Sequence, residues 1–68
     1  MDSPKDLKKL GRTLKEAREK KKMTQAEVAE KAGMNTNYYA VIERGEINPS
    51  YETLKKIAEA LGIKSLTF

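Results

Sequence analysis

Helix starts and stops recur so closely along this chain that most of the segments between them cannot stand alone. Ser3-Pro4-Lys5-Asp6 has the form of a helix start, with Ser3 as N-cap, Pro4 at the first helical position and Asp6 at the third. Thr24-Gln25-Ala26-Glu27 is a capping box, in which a hydroxyl and a carboxylate each satisfy the other residue's backbone N–H. Asn35 and Ser50 offer two further caps, the second preceded by Asn48-Pro49, where proline disfavours helix for the residue before it. Gly33, Gly45 and Gly62 stand where helices end. Helices shorter than about 12–15 residues are marginal in water, so all but the first must be held by packing.

The apolar residues supply that packing. Leu7, Leu10, Leu14 and Ala17 form a stripe on a first helix reaching about Lys21. Val28, Ala29 and Ala32 do so on the second, and Leu54, Ile57, Ala58 and Leu61 on the fourth. Gly11 lies beside the first stripe and costs up to about 1 kcal/mol relative to Ala, so another helix is expected to pass close there. Only Gly33-Met34 separates the second helix from the cap of the third, so the two axes must turn sharply. With no strand signal, no repeat and no low-complexity linker, the expected fold is all-α. It is a compact bundle of four to five short helices in a single domain, residues 1–68.

Composition narrows the chemistry. There is no cysteine and no histidine, which removes disulfides, thiolate nucleophiles and the commonest metal ligand and general base. Carboxylate pairs such as Glu27 and Glu30 are explained by capping and helix solvation, so no enzyme, cofactor or metal is expected. No apolar stretch approaches the ~20 residues of a membrane span, and Met1-Asp2-Ser3-Pro4 is no signal peptide start. A cytoplasmic module is the expectation.

Charge is unevenly spread. Residues 1–22 carry nine Lys/Arg against four Asp/Glu, whereas residues 23–68 carry five against six. The net +4 thus resides in the first third, which ends in Lys20-Lys21-Lys22. Such asymmetry suits a polyanion on one side of the molecule, or lysines that solvate a helix and complement its C-terminal dipole. Charge alone leaves both readings open.

The third helix, about 35–43, has two different faces. Tyr39 and Ile42 lie on one side; Thr36, Asn37, Ala40, Val41 and then Arg44 lie on the other. Surface helices normally show Lys and Glu outward, but this outer face is small, polar and uncharged until Arg44. Asn can pair with adenine, Thr can reach several bases, and a valine methyl can touch a thymine methyl. The plainer reading is an exposed face whose Thr and Asn support the cap.

Residues 14–68 resemble the helix-turn-helix domain of the phage repressor and Cro family, also called the XRE family. Thr24-Gln25-Ala26-Glu27-Val28-Ala29-Glu30-Lys31-Ala32-Gly33 is similar to that family's second helix and turn. Ile42-Glu43-Arg44-Gly45, then Asn48-Pro49-Ser50 and Leu54, resemble its third-helix exit and fourth-helix entry. The resemblance implies a lambda-repressor-like domain with the helix-turn-helix at about residues 25–44. It implies base reading by Thr36, Asn37 and Val41, with Ala40 lining the same surface. It places Gln25, Arg44 and the loop from Asn48 to Tyr51 at phosphates, and pairs Arg18 with Glu43 to tie the first helix to the third. Lys15, on the basic first helix, and the Tyr38 hydroxyl are further phosphate candidates, although the Tyr38 ring could instead pack on the first helix. Tyr39 departs from the family, where an aliphatic residue is usual; its ring must tilt or bring its hydroxyl to the protein edge.

The implied function is a sequence-specific regulator of transcription that binds double-stranded DNA as a homodimer on a palindromic operator, most simply as a repressor. Ile63, Leu66 and Phe68 are candidates for the dimer interface or for completion of the core. The alternative is a protein-interaction module, such as an antitoxin or adaptor, on the same fold.

Overall fold

The computed structural model describes residues 3–63. Four helices follow in order: α1 (Pro4–Lys20), α2 (Gln25–Ala32), α3 (Thr36–Glu43) and α4 (Tyr51–Ala60). No strand occurs among the described residues.

Each helix begins where the sequence punctuates it. Ser3 Oγ accepts from the Asp6 N–H at 3.1 Å, and Ser50 Oγ from the Thr53 N–H at 3.1 Å. The capping box closes both ways: Glu27 N–H donates to Thr24 Oγ1 at 3.1 Å, and Thr24 N–H donates to Glu27 Oε1 at 2.8 Å. Asn35 Oδ1 takes the N–H groups of Asn37 and Tyr38 at the head of α3. Gly33, at φ 72°, stops α2 in the left-handed region that only glycine enters freely. The α1–α2 turn instead puts Lys22 at φ 56°, a conformation costing a side-chain-bearing residue roughly 1–2 kcal/mol.

The core joins all four helices. Leu10 and Leu14 of α1, Val28, Ala29 and Ala32 of α2, Tyr39 and Ile42 of α3, and Leu54, Ile57 and Leu61 from α4 and its C-cap form one buried cluster. Ala17, Met23, Met34, Ile47, Ala60 and Ile63 pack around it. The α2 helix packs on both α3 and α4, and α1 lies against α3. Gly11 is where α1 and α3 come closest: an added Cβ would lie 2.9 Å from the Ile42 carbonyl oxygen and closer still to that of Glu43. The glycine that weakens α1 is the one that admits the end of α3.

Of the two placements open to Tyr39 from the sequence, a tilted ring or a hydroxyl at the protein edge, the second does not occur. The residue's exposure is 0 %, and the hydroxyl is buried beside the end of α3. The apolar ring lies inward with its neighbours from α1 and α2, and the hydroxyl goes with it. Of the tail, Ile63 packs against the core, while Leu66 and Phe68 fall outside the described residues.

Candidate nucleic-acid interface

Three elements converge on the last residue of α3. Arg18, in the last turn of α1, donates from Nε to Glu43 Oε2 at 2.7 Å and from Nη2 to Oε1 at 3.2 Å. Its Nη1 donates to the Met23 carbonyl at 2.9 Å, which ties the same guanidinium to the α1–α2 turn. Gln25, the first residue of α2, donates from Nε2 to Glu43 Oε1 at 3.1 Å. The side chains of Arg18 and Glu43 are only 13 % and 3 % exposed, so this is a charge pair largely withdrawn from water.

The electrostatics follow from that enclosure. Burial pushes the Glu43 carboxyl upward, but donation from Arg18 and Gln25, with the Tyr39 hydroxyl close by, outweighs it and leaves the carboxyl below the usual range. The bond to Glu43 outweighs burial at Arg18 and raises the guanidinium further. Burial first, and then the Glu43 carboxylate, push the Tyr39 phenol well above its ordinary value. The Tyr39 hydroxyl is thus close enough for mutual influence with Glu43, yet it meets no partner at hydrogen-bonding geometry. It is a neighbour of the carboxylate, not a bonded donor.

This clamp sets how α3 is presented. Tyr39, Ile42 and Glu43 are buried, whereas Thr36, Asn37 and Tyr38 are exposed and Ala40 and Val41 half-buried. The outer face is therefore less open than helical geometry suggests: its first turn is free, its middle partly covered. Eight residues make α3 about 12 Å long, comparable with the width of a DNA major groove.

The other candidate residues surround α3 unevenly. Lys15 is exposed on α1. Tyr51 opens α4 with 73 % exposure, and Asn48 is exposed in the loop before it. Tyr38 is 41 % exposed. Arg44 is exposed, but its guanidinium is held by Glu46, Nε to Oε2 at 3.0 Å and Nη2 to Oε1 at 3.3 Å. Sequence reasoning missed that partner, because a pair two residues apart past a helix end follows no helical spacing. It also missed Lys8, whose Nζ donates to the Arg44 carbonyl at 2.8 Å and so caps the exit of α3 from α1.

No cluster of three or more metal-ligating side chains occurs among the described residues. Nor is any described helix long and apolar enough to cross a membrane. What the arrangement offers is a rigidly held short helix with a polar, uncharged first turn, next to a basic helix.

Comparison with known proteins points the same way. The helix-turn-helix family model matches residues 14–68. The chain is 46 % identical over 55 residues to the immunity repressor protein of Bacillus phage phi105, covering 81 % of this chain and 38 % of that protein. It is 39 % identical over 59 residues to an HTH-type transcriptional regulator of Sinorhizobium fredii, covering 85 % of this chain and 77 % of the relative. Multiprotein-bridging factor 1 of Candida albicans is 36 % identical over 55 residues, which are 81 % of this chain and 36 % of the factor. The chain thus spans well under half the length of two of these three relatives. No solved structure matches significantly.

Proposed function

The chain belongs to the helix-turn-helix family of XRE-type transcriptional regulators, DNA-binding proteins rather than enzymes, and on that premise we propose that it reads duplex DNA with α3. The observation that carries the reading is the two-sidedness of α3. Its inner face is sealed by Tyr39, Ile42 and Glu43, and its outer first turn offers Thr36 and Asn37 without a charge between them and Arg44. Laid in the major groove, Asn37 can pair bidentately with adenine, Thr36 can meet a neighbouring base, and Ala40 and Val41 supply apolar contact to thymine methyls. No Lys or Arg precedes Arg44 on this face, so guanine is not read from the helix middle.

Phosphate contacts position that helix. Gln25 stands at the N-terminus of α2, where free N–H groups favour an anion. Lys15, Tyr38, Asn48 and Tyr51 extend the footprint, and Arg44 joins it by exchanging Glu46 for a phosphate. The basic first third of the chain supplies salt-sensitive affinity that carries no sequence information.

A module this small binds a single half-site weakly. Two copies on a palindrome, with half-sites ~34 Å or a multiple apart, supply the missing affinity, and repression follows from occupancy of the operator. Selection of bound sequences from a random duplex pool tests the reading. A palindromic consensus supports it; enrichment of no sequence overturns it.

A second reading is supported by the similarity to multiprotein-bridging factor 1: the same fold serves as an adaptor whose principal partner is a protein. Binding to duplex DNA only at low salt and without sequence preference favours that reading.

A further inference from the structure

The buried hydroxyl of Tyr39 has no partner, and nothing in the stability of the free chain accounts for it. Phenylalanine would fill the same space in the core without burying an unbonded polar group, whose desolvation is costly. Tyr39 stands one helical turn before Glu43 on the buried side of α3, and the Glu43 carboxylate is itself 3 % exposed and must be kept supplied with donors. Each nitrogen of Arg18 is already engaged there, two on Glu43 and the third on the Met23 carbonyl. Gln25 is different. It gives Glu43 Oε1 one hydrogen bond, 3.1 Å long, from a half-buried position at the very start of α2, where a phosphate would sit. If Gln25 turns outward, Oε1 loses a donor inside the protein.

We infer that the Tyr39 hydroxyl is a reserve donor: when Gln25 turns from Glu43 to a DNA phosphate, the hydroxyl takes its place on the buried carboxylate. The trigger rests on the DNA reading above; the exchange itself is a property of the free protein. Tyr39 and Glu43 stand one helical turn apart on the buried side of α3, so the exchange needs a movement of side chains and not of the helix. Tyr39 is on this account a positioning residue. It touches no DNA, but it holds α3 against α1 while Gln25 is occupied elsewhere.

A thermal double-mutant cycle on the free protein tests the exchange. Tyr39→Phe in the wild-type background leaves the unfolding midpoint unchanged or raises it. In the Gln25→Ala background, where the hydroxyl already serves Glu43, Tyr39→Phe lowers the midpoint by about 4–8 °C, the shift one net hydrogen bond is worth in a domain of this size. Gln25→Met repeats the cycle with the side-chain stem retained, should the alanine variant not fold. Equal effects of Tyr39→Phe in both backgrounds overturn the reserve-donor role.

Titration with a mixed-sequence duplex tests the trigger. Tyr39→Phe weakens wild-type binding about fivefold, roughly the equilibrium equivalent of one hydrogen bond, and has no effect once Gln25 is alanine. Equal affinity of wild type and Tyr39→Phe overturns the link to DNA. A wild-type chain that ignores the duplex overturns the DNA reading itself, while the thermal cycle still decides the exchange.

Discussion

Gly11 and Glu43 meet backbone to backbone, the α-carbon of one facing the carbonyl of the other with no room for a methyl group between. The contact spans the first and third helices, so its loss moves the whole of α3 rather than one side chain. Gly11→Ala gains up to about 1 kcal/mol of helix propensity but forces an overpacked contact that costs typically 1–3 kcal/mol. A net loss in urea unfolding is expected. A neutral or stabilising result shows that the two helices separate easily.

Arg18 and Glu43 couple the same two helices through side chains. Removing one partner of a buried pair leaves an uncompensated charge and costs about 3–5 kcal/mol, whereas an exposed pair is worth under about 1. Arg18→Ala and Glu43→Ala should therefore each destabilise strongly, and the double variant by far less than their sum. Simple additivity in urea or thermal unfolding makes them independent charges.

The two ends of the pH range report on different members of this cluster. Glu43 has a depressed carboxyl in the folded state, so its contribution is complete above its unfolded value near 4.5 and is lost as pH falls below it. Tyr39 has a raised phenol, so its contribution is complete below its unfolded value near 10 and is lost as pH climbs above it. Thermal midpoints measured against pH should fall at both ends in the wild type. Glu43→Gln flattens the acid limb most, and Tyr39→Phe the alkaline limb most; unchanged limbs refute the corresponding assignment.

Specific and non-specific DNA contacts should separate by mutation. Asn37→Ala is expected to weaken operator binding by about 1–3 kcal/mol and leave binding to scrambled duplex nearly intact. Lys15→Ala should weaken both and lower the salt slope by about 1. Titrations of both duplexes at several salt concentrations decide it. Equal weakening of the two duplexes by Asn37→Ala removes α3 as the reader.

What could be read from the sequence was local or periodic. The caps at Ser3, Thr24, Asn35 and Ser50 bond N–H groups two or three residues ahead, so a few letters suffice to recognise each. The stripes Leu10–Leu14 and Leu54–Ile57–Leu61 repeat with the helix turn, and Gly11 betrayed a close approach by its cost alone. The Arg18–Glu43 contact crosses 25 residues, and only a family resemblance suggested it. The sequence left Tyr39 open between a tilted ring and a hydroxyl at the edge, because the direction of an inward ring depends on neighbours from other helices. Lys8 on the Arg44 carbonyl and Lys22 in a left-handed turn have no sequence signature: lysine is common on surfaces and unusual in either role.

Stability and the outward first turn of α3 are drawn from separate residues. Asn35 starts the helix, Tyr39 and Ile42 bury it, and Arg18 and Gln25 fasten its end through Glu43. Thr36 and Asn37 take part in none of these through their side chains, so exchanging them leaves the scaffold in place. Lineages built on this scaffold can drift at those two positions without a folding penalty, and new selectivities become reachable one substitution at a time.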